Sequence, residues 1–450
     1  MSGQMDTIAA IATSPGKGGI GVVRISGKKS LNIAKEICGK KIRPRHAHFS
    51  IFRDSQKRAI DQGIVLFFNA PQSFTGEDVV ELQGHGGQVV LNLLLKEVLK
   101  HGARLARPGE FTERAYLNEK IDLVQAEAVA DLIESGSEQA ARSAIRSLEG
   151  EFSDNINIIV KELVLIRVFV EGALDFPEEE IDFLKEPNTI ARLESIINKL
   201  DDLLKNSRRG VKLREGLRVV IIGRPNVGKS SLLNRLASFS KAIVSEKAGT
   251  TRDVIEETIL INGVTIDVAD TAGLREAKDD IEAEGVQRAL KEIKKAEVVI
   301  FVTDKCELDQ EDKRWLYSKK IQTERLLILH NKIDLTGQEH GQNNQEGIDH
   351  IYASMKTGKG IDHLRETLGQ VCGASQYNEN LVMARERHIQ SLMVAKELIS
   401  SGMTKFRSTS EGEILAEELK KAQDALGQIT GLFHTEDLLG EIFSRFCIGK

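Results

Sequence analysis

The sequence predicts a multidomain α/β protein. An N-terminal α+β domain comes first, and a helical bundle built from two separated stretches encloses an inserted α/β domain. Three observations carry this. Residues 1–118 mix short apolar runs with one helical segment. Apolar residues recur at helical spacing from about residue 119, and again after about residue 380. Between those stretches, short apolar runs alternate with helical segments, the pattern of a parallel sheet covered by helices. The expected domains are 1–118, 119–215, 216–374 and 375–450, the second and fourth forming one discontinuous unit. Insertion into a surface loop is tolerated because chain ends often lie close together.

In the first domain, Ile20-Gly21-Val22-Val23-Arg24-Ile25 is a short apolar run between Gly18-Gly19 and Ser26-Gly27 and suits a strand. Ile64 to Phe68 is another, and Gly84 to Lys100 reads as a helix. In the helical stretch, Ile121, Val124, Ala128 and Leu132 share a face. Ile156, Ile159, Leu163, Ile166 and Val170 form a longer stripe that suits a bundle helix. Leu193, Ile196, Ile197, Leu200 and Leu204 mark a further helix. Ser207-Arg208-Arg209-Gly210 then reads as a linker. Val219 to Ile222 is a buried strand. Asn262-Gly263 between two apolar triplets signals a hairpin. Val298 to Val302 and Leu326 to Leu329 suit central parallel strands. Ile414, Leu415, Leu419, Ala422 and Leu426 restart the helical pattern.

Composition narrows the function. The 450 residues are 41% hydrophobic and 29% charged, enough for sizeable cores in a soluble protein. A net charge of −5 argues against a dedicated nucleic-acid coat, so nucleic acid would need a local patch or a partner. Lys40, Lys41, Arg43 and Arg45, and again Arg208, Arg209, Lys212 and Arg214, are basic clusters that read as solvated faces. The cysteines Cys38, Cys306, Cys372 and Cys447 fit no zinc or disulfide spacing, so a reducing compartment is expected. No run is apolar and long enough to span a bilayer, and Met1 to Ala10 does not resemble a secretory signal. A cytoplasmic protein with no stable membrane insertion is expected.

Gly223-Arg224-Pro225-Asn226-Val227-Gly228-Lys229-Ser230 follows a strand and precedes a helix, the context a phosphate-binding loop requires. Its backbone N–H groups and the helix N-terminus would cradle phosphates. Lys229 would neutralise the β- and γ-phosphates, and Ser230 would offer its hydroxyl to Mg²⁺. Asp270-Thr271-Ala272-Gly273 lies downstream: Asp270 would hold Mg²⁺ directly or through water, and the Gly273 amide would sense the γ-phosphate. Asn331-Lys332-Ile333-Asp334 supplies base choice, because the Asp334 carboxylate can accept two hydrogen bonds that guanine offers and adenine cannot. Ser354-Met355-Lys356 would pack the far side of the base. Thr251, in Gly249-Thr250-Thr251-Arg252, is the expected second Mg²⁺ ligand. Together these motifs predict a Ras-like P-loop G domain that hydrolyses GTP. Leu274 stands where small GTPases carry a water-orienting glutamine, so hydrolysis must be organised differently. Glu282 is the nearest plausible substitute, only slightly ahead of Glu276, Asp279, Asp280 and Glu284 on chemistry alone.

Four further stretches carry a specific resemblance: Pro15 to Gly21, Phe74 to Asp78, Glu81 to Gly87 and Arg107 to Ala115. The closing Phe446-Cys447-Ile448-Gly449-Lys450 joins them. With the G-domain motifs, the chain resembles from end to end the MnmE (TrmE) family of bacterial tRNA-modification GTPases, within the TrmE-Era-Der group. The resemblance implies a dimerising N-terminal domain similar to folate-binding aminomethyltransferases. It would take 5-formyl- or 5,10-methylene-tetrahydrofolate through Arg24, Glu81, Lys120 and Lys450. It implies a nucleotide held by Asn226, Val227, Gly228, Lys229, Ser230 and Ser231. Ser245, Glu246, Lys247, Ala248, Gly249, Thr250 and Thr251 would join them, with Asp270 to Gly273 and the base-binding residues. It implies K⁺-stimulated hydrolysis, with Asn226 and the surroundings of Ser245, Lys247 and Thr250 as ligands. It also raises Glu282 to the water-orienting group. The family pattern keeps a cysteine at Cys447, which near Lys450 is expected to be a functional thiol close to the folate, against the plainer reading of a buried thiol. The implied assembly is a homodimer that joins a FAD-carrying flavoprotein similar to MnmG (GidA) in a heterotetramer. That assembly would install an aminomethyl-type group on C5 of the wobble uridine of certain tRNAs. Two other readings compete. One is a ribosome-assembly switch similar to Era or Der, although neither a KH-type loop nor a second G domain is evident. The other is a free-standing folate aminomethyltransferase with a regulatory G domain.

Overall fold

The computed structural model describes residues 6–175, 187–239, 256–261, 264–270, 292–318, 326–371, 381–409 and 411–432, with 439, 442–444, 446 and 449. The chain divides into two compact units. The first holds residues 1–130, 148–190 and 397–450, and the second 131–147 and 191–396.

The first unit opens on a six-stranded sheet of order β3-β4-β5-β2-β1-β6. Its strands are β1 (Ile8–Ile11), β2 (Gly18–Ser26), β3 (His48–Arg53), β4 (Ala59–Phe68), β5 (Val79–Gly86) and β6 (Arg104–Leu105). All neighbours run antiparallel except β1 and β6. Two helices, α1 (Ser30–Cys38) and α2 (Gln88–Lys100), cover one face and bury Ala9, Val23, Ile25, Val80 and Leu82. On the other face Ile8 and Ala10 pack against Phe111 of α3 (Glu110–Leu117). The expected helix Gly84–Lys100 begins later than its glycines suggested. Val79–Gly86 is a strand paired with β2, and the helix starts at Gln88. Gly86 has to be glycine in that strand, because a Cβ on it would lie 2.5 Å from the Gly18 carbonyl oxygen.

The helices that follow are α4 (Leu123–Glu134), α5 (Glu138–Glu149), α6 (Glu151–Asp175) and α7 (Pro187–Glu215). The stripe read from the sequence on α6 is its buried face: Ile156, Ile159, Leu163, Ile166 and Val170 are all at most 3% exposed. It packs against the late helix α13 (Gly412–Thr430), whose Leu415, Leu419, Ala422 and Leu426 are buried. Ser207-Arg208-Arg209-Gly210 is not a linker. It is the interior of α7, which runs unbroken to Glu215. Gly210 is there for close approach: a Cβ would lie 2.3 Å from the Val382 carbonyl oxygen.

The second unit is built on a seven-stranded sheet of order β12-β13-β11-β10-β7-β9-β8. The strands are β7 (Leu217–Gly223), β8 (Glu256–Ile261), β9 (Val264–Asp270), β10 (Val298–Thr303), β11 (Leu326–His330), β12 (Gly341–Gln345) and β13 (Ile348–Tyr352). The five central strands are parallel and both edges antiparallel. The β8–β9 pair closes with Ile261 opposite Val264, the register of a two-residue hairpin. Parallel strands are buried on both faces, so they read as continuous apolar runs. Val219 and Ile221 enter one core, Val220 and Ile222 the other. Helices α8 (Lys229–Phe239), α9 (Gln310–Ser318), α10 (Ile333–Thr336) and α11 (Ile361–Val371) complete this α/β layer. Helix α12 (Glu386–Thr409) follows it.

Candidate functional site

Strands β7, β10 and β11 end on one edge of the parallel sheet, where open α/β folds bind ligands. The loop after β7 carries three positive φ angles: Gly223 at 148°, Asn226 at 63° and Gly228 at 105°. Its glycines are sterically required. A Cβ on Gly223 would lie 2.2 Å from the Val302 carbonyl oxygen, and one on Gly228 would lie 2.2 Å from Asn331 Nδ2. Val227 is buried in the core and pins the loop, while Asn226, Ser230 and Ser231 stay exposed. Lys229 Nζ donates to the carbonyls of Gly223 and Arg224, both at 2.9 Å.

The base-binding turn is tied to this loop through Asn331, which is 4% exposed. Its Nδ2 donates to the Val227 carbonyl at 2.7 Å. Its Oδ1 accepts the N–H groups of Lys332 at 2.8 Å and Met355 at 3.0 Å. One amide thus joins the phosphate loop, the turn after β11 and the segment after β13. Lys332, at φ 64°, extends Nζ to the Asn226 carbonyl at 2.7 Å and to Asp304 at 2.8 Å. Asp334 is exposed, and its Oδ1 accepts the hydroxyl of buried Ser354 at 2.6 Å, which fixes the carboxylate's direction. Met355 is buried beneath the segment, and Lys356 is exposed.

Sequence reasoning missed several contributors. Arg235, on α8, donates to the carbonyls of Met355 at 3.3 Å and Lys356 at 3.0 Å, so the helix behind the phosphate loop also holds the base segment. His330 directly precedes Asn331. Its Nδ1–H donates to the Lys305 carbonyl at 2.6 Å, which leaves Nε2 to accept from His350 Nδ1–H at 2.9 Å. Tyr352 stacks on His330 at 4.4 Å. No local pattern announces these contacts, because each partner lies at least 20 residues away.

Asp270 ends β9 opposite Ile221, so its backbone lies beside the strand that feeds the phosphate loop. Ser245, Glu246, Lys247, Ala248, Gly249, Thr250, Thr251, Thr271, Ala272, Gly273, Leu274 and Glu282 lie outside the described residues, as do Cys447 and Lys450.

In the first unit, Arg24 of β2 stands opposite Glu81 of β5. Its Nε and Nη2 donate to Glu81 Oε1 at 3.0 and 2.9 Å, and its guanidinium lies 5.8 Å from the Phe111 ring centroid. Lys120 is exposed just after α3. The stretch Arg107–Ala115 supplies support to this face. Glu110 is 2% exposed and accepts from Arg104, from Arg114 and from the Arg107 N–H. Burial would raise its pKa, but these partners hold it at about 2. Arg114 also bonds Glu77, which accepts from Ser26 of β2. Gly449 lies against β1, where a Cβ would sit 2.3 Å from the Ile11 carbonyl oxygen.

The glycine-shaped phosphate loop, the carboxylate-bearing turn and the parallel sheet define a P-loop nucleotide-binding protein of the guanine-selective class. Residues 7–120 match the family model described as the GTP-binding protein TrmE N-terminus, and residues 123–447 the one described as the MnmE helical domain. The chain belongs to the MnmE (TrmE) family of GTPases. A relative from Pasteurella multocida named tRNA modification GTPase MnmE is 50% identical over 455 residues, covering 99% of this chain and 100% of the relative. One of the same name from Hydrogenovibrio crunogenus is 48% identical over 445 residues, with 99% of each chain covered. The solved G domain of T. maritima FeoB overlays on 34% of this chain and 98% of its own at 23% identity. Its TM-score is 0.27, so the assignment rests on the sequence matches.

Proposed function

We propose that this GTPase, with a flavoprotein partner similar to MnmG (GidA), installs an aminomethyl-type group on C5 of the wobble uridine of certain tRNAs. The supporting observation is a phosphate loop tied to a guanine-type base-binding turn, inside a chain whose relatives, matched over 99% or more of their length, are named tRNA modification GTPases. The one-carbon unit would come from 5-formyl- or 5,10-methylene-tetrahydrofolate on the face of the first sheet opposite α1 and α2. There Arg24 and Glu81 form a polar pair beside Phe111, a fitting surface for a flat, hydrogen-bonding pterin. Lys120 and Lys450 are the proposed partners of the folate's glutamate tail. Cys447 is the proposed functional thiol.

In the G domain, Asp334 selects guanine, Lys229 neutralises the β- and γ-phosphates, and Glu282 orients the attacking water. Ser230 and Thr251, hard oxygen donors, suit Mg²⁺, with Asp270 in support. The exposed Asn226, at its left-handed φ, suits a K⁺ ligand, and Ser245, Lys247 and Thr250 are the proposed partners in that role. These cations would offset charge developing on the phosphates. Leu274 cannot orient water, which is why a second group and a second cation are needed. The proposed organisation is a cytoplasmic homodimer with domains 1–118, 119–215, 216–374 and 375–450. Among the described residues no helix is long and apolar enough to cross a membrane.

The test is mass spectrometry of tRNA nucleosides from a strain lacking the gene. The wobble-uridine modification is expected to vanish and to return on complementation. Unaltered wobble uridines would defeat the proposal, and co-sedimentation with ribosomal subunits would favour a ribosome-assembly role.

A further inference from the structure

Arg224 is the second residue of the phosphate-binding loop, yet its side chain turns out of the loop. Its Nε donates to Asp312 Oδ1 at 2.8 Å. Its Nη2 reaches Asp309 at 3.3 Å and Glu311 Oε2 at 3.1 Å. These acids open α9. Asp309 precedes the helix and its carboxylate accepts the Asp312 N–H at 2.7 Å, a side-chain N-cap. Lys305 pairs with Asp309 from the other side.

Asp312 is the unusual member. It is 3% exposed, and its Oδ2 has no hydrogen-bond partner among the described residues. Burial pushes its pKa up, and Arg224 opposes that push. A buried carboxylate stripped of its cation is strongly destabilising. The segment from β10 to α9 also carries Asp304, which holds Lys332, and Lys305, whose carbonyl holds His330. Lys332 in turn bonds the Asn226 carbonyl. One cluster therefore joins the start of the phosphate loop, the start of α9 and the base-binding turn.

We propose that Arg224 is a positioning residue for guanine-nucleotide binding: it anchors the phosphate loop to α9 by pairing with Asp312, and it does not touch the phosphates. Swinging the guanidinium toward a phosphate would strand the buried carboxylate. This reading requires nucleotide binding at the loop but not the tRNA chemistry. Arg224→Ala leaves Asp312 unpaired, so the β10–α9 segment shifts and Lys332 loses its brace. Affinity for GDP and GTP falls together, by about tenfold. The loss shows in the GDP dissociation constant and in KM before it shows in kcat. An arginine acting on the transferring phosphate would instead lower kcat while GDP affinity held.

The experiment titrates a fluorescent GDP analogue into the full-length Arg224→Ala and Arg224→Ala/Asp312→Asn proteins. The second change removes the unpaired charge, so most of the affinity is expected to return. A double variant that binds as poorly as the single one would overturn the proposal. So would an Arg224→Ala protein that loses kcat with GDP affinity intact. Should Arg224→Ala not fold, Arg224→Lys carries the same comparison, because a point charge replaces the fork only in part. Adding Asp312→Asn is again expected to restore binding, and no restoration overturns the proposal.

Discussion

Asp334 stands exposed at the end of the base-binding turn, with one oxygen held by the Ser354 hydroxyl. Guanine would bring two charge-assisted hydrogen bonds to it. Asp334→Ala is therefore expected to weaken GDP binding by about 3 kcal/mol or more, roughly 100-fold. Titration calorimetry measures this, and near-parental affinity would remove Asp334 from that role. Glu282 calls for the opposite signature. Glu282→Ala is expected to slow GTP hydrolysis by roughly 10²–10⁴-fold with nucleotide affinity nearly intact. Single-turnover kinetics separate the two quantities, and unchanged hydrolysis would point to another water-orienting group. Residues such as Asn331 and Asp334 were legible because a motif fixes their spacing on one turn. Arg224, Arg235 and His330 were not, because what they do depends on partners that only the folded chain brings near.

At the scale of elements, two buried clusters make stability depend on pH. Glu110 of α3 is held at about 2, against an ordinary 4.5. A carboxyl lowered by folding adds stability above 4.5 and loses it as pH falls toward 2. Glu110→Gln is expected to melt below the parent protein at about pH 5, with a clearly narrower gap at about pH 3. Circular-dichroism melts at both pH values measure it, and a constant gap would mean the charge is immaterial. Between β11 and β13, burial pushes His330 and His350 below the ordinary histidine value of 6.5. Folding disfavours their protonation, so stability is complete above pH 6.5 and falls as pH drops below it. GDP affinity of the folded protein is expected to hold through the first part of that fall, because the lowered pKa keeps His330 neutral beside Asn331. An affinity that already drops between about pH 7.5 and about 6.5 would show that the folded imidazoles are not protected from protons. Periodicity made the buried faces of α6 and α13 legible. It failed at α7, where one glycine among charged residues looked like a break. There glycine serves a crossing chain, which no local pattern records.

Across the whole chain, distant segments complete one another. Gly449, φ 99°, rests against Ile11 of the first strand. Gly449→Val would drive a side chain into that backbone and displace the segment holding Cys447 and Lys450. Binding of 5-formyl-tetrahydrofolate is expected to weaken while GTP hydrolysis continues at the parental rate. Equilibrium dialysis and a phosphate-release assay measure the two. Loss of both together would show that the segment serves general stability instead.

The crossing at Gly210 has a topological consequence. Chain entering β7 through the end of α7 touches, at Val382, the chain that returns after α11. Entry and exit of the intervening polypeptide are therefore neighbours, like the mouth of a bag drawn shut. A short covalent link across this crossing would join them without asking either end to travel.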